Sequence, residues 1–172
     1  PDLAQPIYWA MGIAGALAMF VSIILHELGH ALVAQRFGIE MRGITLFIFG
    51  GVAEMADEPP NPKAEFTVAA AGPVVSVLLA GAFWVAAAAP WHIGVAGVLR
   101  FLAWINSVVV IFNLIPAFPM DGGRVLRAIF SLFTARLTAT RIAVGVGQVF
   151  AALLTRAFSP PDAFRESVSR PP

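Results

Sequence analysis

Cysteine is absent from the 172 residues. That excludes disulfides and thiolate metal sites, so any metal must be held by imidazole and carboxylate. Charge is scarce too. Asp, Glu, Lys and Arg make up 12% of the chain, about half the share of a soluble domain. The formal net charge is +1, which gives nucleic acid binding no electrostatic support. No basic stretch precedes the first apolar run, so no signal peptide is evident. The chain begins with Pro1 rather than Met, as expected of a fragment or a processed chain. What remains is apolar: 59% of all residues. That is a membrane composition, and the lipid bilayer is the first partner it implies.

The apolar residues fall into runs of spanning length. Ile7 to Leu25 carries no formal charge, and the helix is expected to continue to Phe37, with Gly38 as its C-terminal cap. Phe66 to Ala89 is a second uncharged run, with Gly72-Pro73 as a place to kink or unwind. Small residues (Ala69, Ala70, Ala71, Gly72, Ser76) would let helices approach closely there. A third span is expected at about 98–113 and a short fourth at about 142–155. Trp104 reads as a packing residue. Residues 1–156 form the membrane core in this reading, and 157–172, rich in Pro, Ser and charge, a disordered tail. Residues 40–51 differ. Ile44, Thr45, Phe47, Ile48 and Phe49 favour a strand, and Gly50-Gly51 ends it. The expected fold is therefore an all-α polytopic helical bundle with a short membrane-embedded β strand or hairpin near the site. That hairpin is either a surface element or an edge that pairs with an extended substrate.

The first span ends in HELGH, residues 26–30. His26 and His30 are four apart and share one helix face, a spacing that can hold one divalent metal, usually zinc. Glu27, beside His26, can serve as general base toward a metal-activated water. Three polar groups next to a membrane-length apolar run are expensive and call for a reason. A catalytic zinc normally takes a third protein ligand. Asp121 is the candidate, because two further spans return the chain to the HELGH side. A helix N-cap is the other reading of Asp121. Glu54, Asp57, Glu58 and Glu65 compete for the role but read as solvated residues of a polar loop. Asn113 is a candidate oxyanion donor, or else makes an interhelical hydrogen bond. His92, in the opposite turn, is assigned no function.

HELGH at 26–30, FGGVA at 49–53, AGPVVS at 71–76 and FNLIPAFPMDGGRVLRA at 112–128 together resemble the site-2 protease family of intramembrane zinc metalloproteases. The likeness runs from about residue 20 to about residue 150. It is nearest to the prokaryotic branch that often carries CBS domains. The resemblance implies one zinc per chain on His26, His30 and Asp121, with Glu27 as catalytic acid/base and Asn113 close to the centre. It implies hydrolysis of peptide bonds within or near membrane-spanning segments of protein substrates, in regulated intramembrane proteolysis. Relatives usually have a further span before the HELGH helix, and that branch often has a CBS pair after the core; neither lies within these residues.

Arg36, Arg42, Lys63, Arg124, Arg127, Arg136 and Arg141 lie toward the HELGH side, and the 90–94 turn has no Lys or Arg. The positive-inside rule then turns the site toward the cytoplasm of a multi-pass protein in the plasma membrane. A homo-oligomer is left open. The competing function is a metal-binding membrane protein without hydrolysis, a pseudoprotease or a metal transporter. A transporter should show polar residues along a path through several spans. A pseudoprotease should have lost Glu27.

Overall fold

A computed structural model of the chain describes residues 3–47, 50–55 and 59–158. From residue 159 onward the expected tail lies outside these residues.

Helix α1 (Gln5–Arg36) takes in the whole first apolar run and HELGH without a break. Pro6 stands in its first turn, where a missing N–H costs nothing. Gly38 ends it at φ +73°, and the Gly38 and Ile39 N–H groups bond back to the Gln35 and Ala34 carbonyls at 3.0 and 3.2 Å. This paired reversal satisfies the Ala34 and Gln35 carbonyls at the end of the helix and needs the left-handed backbone that glycine supplies. Ile39 then packs with Ala34 and Val68 in a small buried cluster.

Strands β1 (Met41–Phe47) and β2 (Gly50–Met55) follow as an antiparallel ribbon, with Ile44 opposite Ala53 and Thr45 opposite Val52. The ribbon lies against α1. Helix α2 (Pro62–Ala86) opens on an Asn61 cap, whose side-chain oxygen accepts from the Ala64 N–H at 2.9 Å. It runs through Gly72-Pro73 without the unwinding the sequence suggested. Helix α3 (Ile93–Asn113) starts five residues before the expected span. His92 explains this: its Nδ1 caps the helix by accepting from the Gly94 N–H at 3.3 Å. A short α4 (Asp121–Phe130) and a full-length α5 (Arg136–Phe158) complete the described chain. The last apolar segment, read as short, is thus part of a 23-residue helix that takes in residues 157 and 158 of the expected tail.

α1, α2, α3 and α5 are each long and apolar enough to cross a membrane. α2 sits between α1, α3 and α4. Its inward face is Ala64, Glu65, Val68, Ala69, Gly72, Ser76 and Ala80, a stripe of mostly small residues at helical spacing. Close approach follows: a Cβ on Gly29 of α1 would stand 2.8 Å from Val75 Cγ2 and 3.2 Å from the Ala71 carbonyl oxygen. The outward faces are large and apolar, with Leu17, Leu78, Ile111 and Leu153 each more than 60% exposed. In water such a surface would aggregate; in lipid it matches the solvent. Trp104 is 59% exposed and belongs to that outer surface rather than to the packing inside the bundle.

Candidate metal centre

His26 and His30 project from α1 onto the buried stripe of α2. There each ring is fixed by its inner nitrogen. His30 Nδ1–H donates to the Val68 carbonyl at 2.7 Å, and His26 Nδ1 pairs with Ser76 Oγ at 2.9 Å. Holding Nδ1 in this way orients the imidazole and leaves Nε2 as the free donor atom of each neutral ring. Both Nε2 atoms turn to the same point and lie 3.2 Å apart.

Asp121 arrives from α4. It is the first residue of the helix and makes no cap; Met120 occupies the cap position, without a side-chain hydrogen bond. The N-cap reading of Asp121 therefore does not hold. Its Oδ2 lies 3.3 Å from His26 Nε2 and 3.2 Å from His30 Nε2. Two glycines bring it there. A Cβ on Gly122 would stand 2.4 Å from the carbonyl oxygens of Leu114 and Ile115, and one on Gly123 2.8 Å from Ala117 backbone atoms. Any side chain at either position would push the start of α4 off the preceding segment.

The three donor atoms lie within 4.8 Å of one another, and all three residues are buried. They fit a zinc ion on two grounds. Ligands bonded tetrahedrally at about 2.0–2.1 Å stand roughly 3.3 Å apart, and the observed edges are 3.2, 3.2 and 3.3 Å. The second ground is the space between them. A Cβ on Gly72 would stand 2.2 Å from His30 Nε2 and 2.6 Å from His26 Nε2. Only glycine leaves open the volume that these nitrogens face.

Burial raises the Asp121 carboxyl, but the hydrogen bonds to His26 and His30 outweigh it and hold the group at about 2. In the absence of metal the ionised carboxylate accepts these bonds from Nε2–H groups; a bound cation would take the place of those protons. Glu27 is buried one residue from His26, and its charge interacts with His30, His26, Asp121 and Arg124. Asn113 stands at the end of α3, and its side-chain amide donates to the Val109 carbonyl of its own helix at 3.0 Å and, among the described residues, to no other helix. Glu65 is no solvated loop residue. It is fully buried on α2 and paired with Arg127 of α4.

The sequence profile of Peptidase family M50 matches residues 14–91 and 85–156. The chain belongs to peptidase family M50. Its relatives in that family include sll0528 of Synechocystis sp., 41% identical over 153 residues, which are 86% of this chain and 40% of that protein. Zinc metalloprotease MJ0392 of Methanocaldococcus jannaschii is 40% identical over 150 residues, 86% of this chain and 42% of that protein. The chain thus spans less than half the length of either relative. Among solved structures, the Site-2 Protease from Methanocaldococcus jannaschii aligns with a TM-score of 0.62 at 35% identity, covering 86% of this chain and 67% of that one. The M50 membership and the four spanning helices make this an integral, multi-pass membrane protein. The resemblance read from HELGH and FNLIPAFPMDGGRVLRA is that of its family.

Proposed function

We propose that this chain is the membrane core of a zinc metalloendopeptidase that cuts peptide bonds within or near the spanning segments of membrane proteins, in regulated intramembrane proteolysis. One observation carries the reading: two imidazole nitrogens and a carboxylate oxygen form a triangle with edges of 3.2–3.3 Å, beside a buried Glu27, at the end of a membrane-spanning helix. His26, His30 and Asp121 would hold the zinc ion, whose chemistry there would be that of a Lewis acid that acidifies water. Glu27 takes the proton of the attacking water and returns it to the leaving amide nitrogen. Ser76 and the Val68 carbonyl keep the rings from turning as charge moves. Asn113 gives up its bond to Val109 and donates to the developing oxyanion.

A helical substrate keeps its carbonyls bonded, so it must unwind locally before attack. The β1–β2 ribbon, embedded at membrane depth beside α1, offers an edge on which an unwound segment pairs as a strand. Seven of the chain's eleven Lys and Arg residues lie toward the HELGH side, which supports a site opening to the cytoplasm of the plasma membrane.

The test needs no natural substrate at its first step. Wild type in detergent should hold about one zinc per chain, and Asp121→Ala should lose it. A panel of single-span substrates, with and without Gly or Pro in the span, should then be cut by wild type and not by Glu27→Gln. Zinc binding with no cleavage of any span by wild type in bilayers would favour a non-hydrolytic metal protein instead. Zinc fully retained by Asp121→Ala would remove the three-ligand site.

A further inference from the structure

Glu65 has no place among the metal-facing groups, yet it is fully buried. It stands one turn before Val68 on the α2 face that also carries Gly72 and Ser76. Arg127 reaches it from α4, with both Nε and a terminal guanidinium nitrogen on Oε1. The same guanidinium carbon lies 5.6 Å from the centre of the Phe118 ring, in the segment that leads into α4. One side chain therefore ties together α2, the approach to α4, and α4 itself.

This pair is poorly designed for net stability. Glu65 Oε2 is buried with no hydrogen-bond partner among the described residues, and an orphaned acceptor is costly. Two apolar residues of similar volume would hold the helices together as well or better. What an ion pair adds is registry. An apolar contact tolerates sliding, whereas a buried carboxylate pulled from its guanidinium is strongly disfavoured. Registry is what the metal site needs from α4. Asp121 is the only donor that α4 contributes to the triangle, and a slip of one residue moves it by about 1.5 Å along the axis. The Gly122 and Gly123 contacts fix α4 only to the segment just before it, not to α2.

We propose that Glu65 and Arg127 are a positioning pair that sets the register of α4 against α2 and so holds Asp121 Oδ2 at ligand distance from His26 and His30. The proposal rests on the reading of these three residues as zinc ligands. It is tested on the full chain in detergent, by zinc affinity from chelator competition and by thermal unfolding of the metal-free protein. The decisive variant is the apolar double, Glu65→Leu with Arg127→Met. It should unfold at or above the wild-type temperature yet bind zinc about 10-fold more weakly, the low end of the loss on removing a group that hydrogen-bonds a ligand, because the pair acts on Asp121 only through the register of α4. Arg127→Lys keeps the charge without the fork and should fall between the two; it carries the test if the double variant does not fold. Wild-type zinc affinity in the double variant or in Arg127→Lys overturns the proposal. Asp121→Ala, run alongside, separates the two claims: if it keeps zinc, the three-ligand reading fails first, and the pair's role with it.

Discussion

Gly72→Ala is a small change with a sharply defined consequence. In the middle of α2 alanine is the better helix former by about 1 kcal/mol, but the added Cβ would overlap the fixed rings of His26 and His30, so the metal-free protein should not gain that stability. The metal site is disturbed too. The added Cβ stands 2.2 and 2.6 Å from the two Nε2 atoms, close to the 2.0–2.1 Å of a zinc–nitrogen bond, so the methyl group takes the volume the ion needs. Neither ring can retreat easily, since His30 is held by the Val68 carbonyl and His26 by Ser76. The zinc affinity should fall further than the roughly 10- to 100-fold expected for losing an outer-shell partner. Gly81→Ala is the matched control on the same helix, where a Cβ meets nothing within 4 Å. Zinc per chain after dialysis and thermal unfolding of the metal-free proteins read out both effects. The control should keep its zinc and gain stability. Gly72→Ala should lose zinc while its helix content stays. One zinc per chain in Gly72→Ala at wild-type affinity would refute the placement of the ion.

Other substitutions probe separate links. Ser76→Ala removes the partner of His26 Nδ1 and should weaken zinc binding about 10- to 100-fold, measured by the same competition, with little change in helix content. Gly122→Ala drives a Cβ into two carbonyl oxygens and should both lower the unfolding temperature and release zinc. Asn61→Ala deletes the α2 cap and should lower stability by about 1 kcal/mol without changing zinc stoichiometry. In metal-free protein the Asp121 carboxyl is held at about 2, below its ordinary 3.8. Its stabilisation is therefore complete above pH 3.8 and lost as pH falls toward 2. It is worth about 2 kcal/mol, and Asp121→Asn should flatten that part of an acid unfolding curve.

The residues that announced the site were those whose chemistry has few other uses in lipid. Two histidines a turn apart and an aspartate set between two prolines and two glycines are too expensive to be incidental, and they converge. The supports stayed hidden for physical reasons. The Val68 carbonyl belongs to a backbone and leaves no trace in residue type. Gly72 and Ser76 look like any close-packing pair of small residues, and the proline beside Gly72 pointed toward a break rather than toward space. Glu65 follows a run of polar residues that suggests solvation; its burial goes with Arg127, 62 residues away. Helix lengths differ where a helix runs on past its apolar stretch, to the His92 cap for α3 and to Arg136, its first residue, for α5. Trp104 shows the limit of hydropathy itself. In a bilayer, an apolar side chain reports nothing about which way it faces.

The order of the donors along the chain bears on how the centre is born. His26 and the Ser76 that steadies it are 50 residues apart, while Asp121 lies 91 residues after His30. In the order of synthesis, both imidazoles and the Ser76 and Val68 groups that fix them belong to the first two crossings. The carboxylate that completes the site enters after a further crossing. The third donor is thereby tied to the crossing by α3 and not to the last helix: a chain stalled or misinserted after α2 has both histidines but no Asp121.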